Sequence, residues 1–138
     1  MITIKKQEIV KLEDVLHLYQ AVGWTNYTHQ PEMLEQALSH SLVIYVALDG
    51  DAVVGLIRLV VDGFSSVFVQ DLIVLPTYQR QGIGSALMKQ ALGDFKGAYQ
   101  VQLVTEQTEK NVRFYRSIGF EVLSTYNCIG MTWVNRKN

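Results

Sequence analysis

The chain has 138 residues, 49% hydrophobic and 18% charged, enough for a core of its own and too apolar for a disordered protein. A formal net charge of −1 leaves no electrostatic footprint for nucleic acid, and the single Cys128 excludes an internal disulfide. No leader-like segment opens the chain, and its longest apolar run, 53–61, is broken by Gly55 and Arg58, far short of the ~20 residues of a membrane helix. A soluble cytoplasmic protein without nucleic-acid or membrane partners is therefore expected.

Residues 2–4 alternate as a first strand. Over 12–22, Val15, Leu18, Tyr19 and Val22 recur at i, i+3, i+4 and i+7, which predicts a helix with one buried stripe, ended by Gly23. Residues 24–30 read as a polar-aromatic loop. A second helix starts at Pro31 and buries Leu34, Ala37 and Leu38. The β-rich runs 42–48 and 52–61 flank Asp49-Gly50-Asp51, and Asp62-Gly63 leads to a third run at 66–74. These turn signals predict an antiparallel three-stranded meander.

A helix over 83–95 places Ile83, Leu87, Ala91 and Phe95 on one face. The strand at 100–105, reached through that helix, should run parallel to the last meander strand. A final helix over 108–118 stops at Gly119. Residues 120–126 and 128–134 are read as two closing strands turning at Tyr126-Asn127, with Cys128 a small buried hydrophobe on the second. The tail 136–138 is expected to fray.

The most informative stretch is Gln79-Arg80-Gln81-Gly82-Ile83-Gly84-Ser85-Ala86, between a strand and a helix. Gly82 and Gly84 allow the backbone to approach a ligand closely, and the unpaired N–H groups of the first helical turn point at whatever lies there. A P-loop would need Gly-Lys-Ser/Thr, which is missing, and Leu87 stands where a dinucleotide fingerprint needs its third glycine. Gln79, Gly82 and Gly84 instead fill the pattern Q/R-x-x-G-x-G/A, and Phe114-Tyr115-Arg116-Ser117-Ile118-Gly119-Phe120 follows downstream. On these two motifs the chain resembles the GNAT superfamily of N-acetyltransferases.

The resemblance implies an α/β fold of order β-α-α-β-β-β-α-β-α-β-β, filling 1–138 as one domain. Its mixed sheet has six to seven strands, flanked by about four helices. The fourth strand should splay from the fifth, and acetyl-coenzyme A should lie in the opening. Main-chain N–H groups of Gln79, Arg80, Gln81, Gly82, Ile83, Gly84 and Ser85 would then take the pyrophosphate, with Arg80 adding charge. Leu72, Ile73 and Val74 would pair with the pantetheine arm, one N–H polarising the thioester carbonyl. Losing such a donor costs about 3–4 kcal/mol of barrier in other systems. Thr108 and Asn111 are the candidates for a further contact to that arm. Either has a structural alternative, Thr108 as a helix cap.

Tyr115 matches the family's tyrosine and would hydrogen-bond the departing thiolate, unless it merely packs. Full proton transfer from a phenol to a thiolate is uphill by about 2 kcal/mol, so hydrogen bonding is the safer role. A lysine-like amine pays roughly 4.6 kcal/mol to become neutral at pH 7. Asp71, on the face alternating with Val67, Val69 and Ile73, is the candidate base; a buried carboxylate paired with Arg58 is the alternative. Trp24 and Tyr27 are the candidate acceptor contacts, suited to a flat or cationic amine.

His29 is read as a surface or capping residue, and no metal-ligand spacing is present. The expected activity is acetyl transfer to a primary amine of a small molecule or peptide, by direct attack in a ternary complex. The rival is an inactive acyl-coenzyme A sensor of the same fold. A homodimer is compatible with the resemblance and decided by nothing in the sequence.

Overall fold

The Asp-Gly signals at 49–51 and 62–63 become tight turns, with Gly50 and Gly63 at φ 62° and 92°. The computed structural model describes residues 1–134, and the 136–138 tail lies outside them. The chain divides into two compact units, Met1–Leu103 and Val104–Asn138.

In the first unit, β1 (Ile2–Lys6), β2 (Val43–Asp49), β3 (Ala52–Val61), β4 (Ser66–Val74) and β5 (Gln100–Leu103) form one sheet in sequence order. β1 to β4 pair antiparallel, and β5 runs parallel to β4 as expected from its helical crossover. Four helices accompany them: α1 (Leu12–Ala21), α2 (Thr25–Thr28), α3 (Pro31–Ser39) and α4 (Ile83–Gly93). The 24–30 loop thus contains a short helical turn that its polar composition did not announce.

One face of the sheet carries Ile44, Val46, Leu56 and Ile73 beneath Val15, Leu18, Tyr19, Leu34 and Leu38 of α1 and α3. α4 packs on the opposite face through a close approach at Gly55. A Cβ built there would lie 3.2 Å from the Ile73 carbonyl oxygen, 3.2 Å from Leu87 Cδ1 and 3.3 Å from Ala47 Cβ. The middle of β3, Val54 to Leu59, is buried without alternation because both of its faces are covered, and the buried stretch includes Gly55 and the charged Arg58.

In the second unit, α5 (Glu109–Ile118) begins at Thr108, whose hydroxyl accepts the Asn111 N–H, and ends at Gly119 (φ 119°). The Gly119 N–H reaches the Arg116 carbonyl and the Phe120 N–H the Tyr115 carbonyl, both at 3.0 Å, which closes the helix end.

The two expected closing strands are not formed among the described residues, so the sheet has five strands instead of six to seven. Leu123–Tyr126 tighten into a 3₁₀ turn that ends at Asn127 (φ 59°). Cys128 is exposed rather than buried. A strand exists only through a partner, and alternation in 128–134 says which side seeks burial without saying against what.

Candidate active site

Pairing between β4 and β5 covers only Ser66 to Val69 and ends at Val69 opposite Leu103. Beyond that point β4 continues to Val74 against β3 alone, so Leu72, Ile73 and Val74 lie on a strand whose other edge is bare of β5. This is the splay expected from the sequence.

A bulge in β4 sits at the same place. Arg58 opposes Asp71, and the next residue of β3, Leu59, opposes Val69, so Gln70 is the extra residue. An inserted residue flips the faces of a strand. Val67 and Val69 therefore share the α4 face with Leu59, whereas Asp71 and Ile73 share the α1 face with Leu56 and Arg58. The alternation of Asp71 with Val67 and Val69 expected from the sequence is corrected here.

Turned this way, Asp71 enters a buried network. Its Oδ2 accepts the Arg58 Nε–H at 2.8 Å and the Tyr19 hydroxyl at 2.9 Å. Arg58 also donates from Nη2 to the Tyr27 hydroxyl at 2.9 Å and from Nη1 to Ser41 Oγ at 3.3 Å. Asp71 and Arg58 are 2% and 5% exposed. This is the ion-paired alternative for Asp71.

Burial pushes the Tyr19 phenol far above its ordinary value, and the neighbouring Asp71 charge raises it further. Tyr27 moves up for the same two reasons, with Arg58 pulling the other way. Burial alone would lower the Arg58 guanidinium, but Asp71 more than offsets it and the net shift is upward. Tyr19 was legible only as a core position of α1. The signal for more was that a buried phenol must find a partner, which does not say where in the chain the partner lies.

Trp24 and Tyr27 are half-buried and come together with Tyr19, at 6.0 Å between the Tyr19 and Trp24 rings and 5.2 Å between Tyr19 and Tyr27. The Arg58 guanidinium carbon lies 5.8 Å from the Tyr27 ring centroid. His29 is exposed at the end of α2.

The loop before α4 is shaped as an anion cradle. Arg80 and Gly82 take positive φ values of 66° and 81°, and α4 starts at Gly82 without a side-chain cap. Among the described residues the N–H groups of Arg80, Gln81, Gly82, Ile83, Gly84 and Ser85 meet no protein acceptor; the first paired donor is Ala86, to the Gly82 carbonyl at 3.0 Å. Six successive free peptide donors at a helix N-terminus fit a diphosphate.

Gln79 departs from expectation. Its N–H is taken by the Pro76 carbonyl at 3.3 Å, and its side chain donates to the Val74 carbonyl at 3.0 Å. Gln79 thus ties the loop to the end of β4, and the free run begins one residue later.

In the second unit Tyr115 is half-buried between Phe114 and Phe120, with ring centroids 5.0 Å and 6.0 Å away. Burial raises its phenol, and hydrogen bonding with Thr105 opposes part of that. Thr108 caps the helix as its alternative reading held. The Asn111 amide donates to Thr105 Oγ1 at 3.2 Å and to the Glu106 carbonyl at 3.1 Å, so it fixes the segment before α5.

A strand with an open edge followed by a run of unpaired peptide donors at a helix N-terminus defines an α/β class whose geometry suits a phosphate-bearing ligand. The comparisons narrow that class. A family profile described as an acetyltransferase (GNAT) domain matches residues 40–122. A solved GNAT family acetyltransferase from Streptococcus pneumoniae TIGR4 is 84% identical, with TM-score 0.92 over 99% of this chain and 100% of that one.

Serotonin N-acetyltransferase 2 of Oryza sativa subsp. japonica is 30% identical over 66% of this chain, which spans only 48% of the rice protein. The fold is also that of an aminoglycoside N-acetyltransferase solved with CoA, at 20% identity and TM-score 0.67 over 99% and 95% of the two chains. The chain belongs to the GNAT family of acetyltransferases.

Proposed function

We propose that the whole chain acts as one N-acetyltransferase domain that moves an acetyl group from acetyl-coenzyme A to a primary amine of a small molecule or peptide, by direct attack in a ternary complex. The observation that carries this reading is the run of six unpaired N–H groups from Arg80 to Ser85, beside a strand with a bare edge. Acetyl-coenzyme A supplies an acyl group already activated as a thioester. The Arg80–Ser85 donors hold the diphosphate, Arg80 adds a charge, and the backbone of Leu72 to Val74 aligns the arm and polarises the carbonyl. Tyr115 donates a hydrogen bond to the leaving sulfur. Its raised pKa keeps the phenol protonated at neutral pH, as that role requires.

Asp71 serves the amine less directly than a free base would. With Oδ2 occupied by Arg58 and Tyr19, its charge is already compensated, and we assign it to holding Arg58 and hence the Tyr27 phenol in place. Oδ1 has no protein partner among the described residues. Trp24 and Tyr27 present aromatic surface to the acceptor. Together with the name of the rice relative, this sets an aromatic ethylamine first in any panel.

The test is thiol release from acetyl-coenzyme A across aromatic, aliphatic and peptide amines. Release with at least one class supports transfer. Tight coenzyme binding without release from any of them would favour the sensor instead.

A further inference from the structure

The Asp49-Gly50-Asp51 turn does more than close a hairpin, because its first residue reaches the loop before α4. The Tyr78 hydroxyl donates to Asp49 Oδ2 at 2.6 Å. Asp49 is the last residue of β2 and is paired on both sides, with Ile2 of β1 and with Ala52 of β3. Its backbone is therefore held in the sheet, and its carboxylate is a fixed acceptor. Asp49 raises the Tyr78 phenol above its ordinary value, chiefly through that hydrogen bond, so the hydroxyl remains a donor at neutral pH.

Tyr78 ends a 3₁₀ turn, Pro76–Tyr78, two residues before the first free peptide donor at Arg80. The segment is tied down along its length. The Leu75 N–H donates to the Val54 carbonyl at 2.9 Å, and the Tyr78 N–H to the Leu75 carbonyl at 2.8 Å. The Gln79 side chain donates to the Val74 carbonyl at 3.0 Å. These contacts bind the turn to β3 and β4, and the Tyr78 hydroxyl adds a side-chain link to β2. All of these residues belong to the first unit.

The anchoring matters one step further on. Arg80 takes φ 66°, a left-handed conformation disfavoured for any residue with a Cβ. A strained residue keeps such a value only where its surroundings impose it. Successive N–H groups converge on one anion only while the chain bends through left-handed values at Arg80 and Gly82. A segment free to drift before Arg80 would let it relax to negative φ, and the row of donors would lose its common target.

We infer that Asp49 and Tyr78 are positioning residues for the diphosphate of coenzyme A. The β2–β3 hairpin holds the phenol, and the phenol holds the entry to the Arg80–Ser85 donors. Both residues act through the backbone of 80–85 and not by touching the ligand. The inference rests on the reading of those donors as the diphosphate site. It adds that their geometry is set from β2, two strands away from the β4 that leads into the loop.

Titration calorimetry of coenzyme A into the native chain and its variants tests this. Tyr78→Phe removes one hydroxyl and should weaken binding about three- to ten-fold, the range of a single hydrogen bond, with circular dichroism unchanged. Asp49→Ala should match it, although it also removes the 3.8 Å contact to the Met1 amino group. Asp49→Asn keeps an oxygen that accepts from the phenol and should bind within about two-fold of the native chain, a rescue that a lost charge would not allow. The double variant Tyr78→Phe, Asp49→Ala should be no weaker than the worse single variant. Unchanged binding in Tyr78→Phe overturns the inference, as do losses that add in the double variant, or Asp49→Asn as weak as Asp49→Ala. A native chain that binds no coenzyme A overturns the diphosphate reading itself, and this inference with it.

Discussion

Replacing Asp71 by Ala removes the carboxylate that accepts from Arg58 Nε at 2.8 Å and from the Tyr19 hydroxyl at 2.9 Å. The guanidinium, on a residue only 5% exposed, stays behind without its counter-charge. Breaking a buried pair from one side costs about 3–5 kcal/mol, because the remaining charge is uncompensated. Against a total stability of roughly 5–15 kcal/mol, that is a large share. At about 3–5 °C per kcal/mol for a chain of this size, Tm should fall by roughly 9–25 °C.

Adding Arg58→Met to Asp71→Ala should restore most of the loss, since removing both charges leaves neither stranded. Urea or thermal unfolding followed by circular dichroism, run as a double-mutant cycle, gives the coupling directly. A loss below about 1 kcal/mol for Asp71→Ala, or no recovery in the double variant, would refute the ion pair. It would also return Asp71 to candidacy as a free base.

Tyr115→Phe should lower turnover ten-fold or more in the thiol-release assay while coenzyme affinity stays within two-fold, about 0.4 kcal/mol by RT ln 2; unchanged turnover removes Tyr115 from the chemistry. Gly55→Ala should destabilise by about 1–3 kcal/mol in urea. The new methyl meets the Ile73 carbonyl and Leu87 at 3.2 Å, and an unchanged midpoint would mean that α4 can retreat without loss. Tyr19 is held neutral in the fold by burial and by Asp71. Its contribution is therefore complete below the unfolded value of ~10 and drains away as pH rises above it. Stability between pH about 9 and about 11 should fall more steeply for the native chain than for Tyr19→Phe, and parallel slopes would contradict the assignment.

What the sequence revealed and what it hid follow from the range of the interactions. The cradle was legible because glycine placement, helix start and preceding strand are all local to 66–86. The hairpins at 49–51 and 62–63 were legible for the same reason. The bulge at Gln70 was not, since an extra residue in β4 shows only when its partner strand is counted. Through it, the face of Asp71 was misread. The Tyr19 to Asp71 bond joins residues 52 apart in the chain, and no periodicity reports such a pairing. Gly55 was visible as a break in an apolar run, yet its reason lies in Leu87 on a helix far along the sequence. Alternation in 128–134 was real, but it specifies a face and leaves the partner open.

The central claim is that the loop before α4 grips a diphosphate through its peptide nitrogens. Titration calorimetry of coenzyme A into the native chain and into Gly82→Val measures this most directly. Gly82 has φ 81° with open space where a Cβ would stand, so the substitution acts on the backbone alone. A left-handed conformation costs a β-branched residue at least about 1–2 kcal/mol. The account predicts one coenzyme per chain and an affinity loss of ten-fold or more in the variant. Native protein indifferent to coenzyme A, or a variant that binds it as tightly, would contradict it.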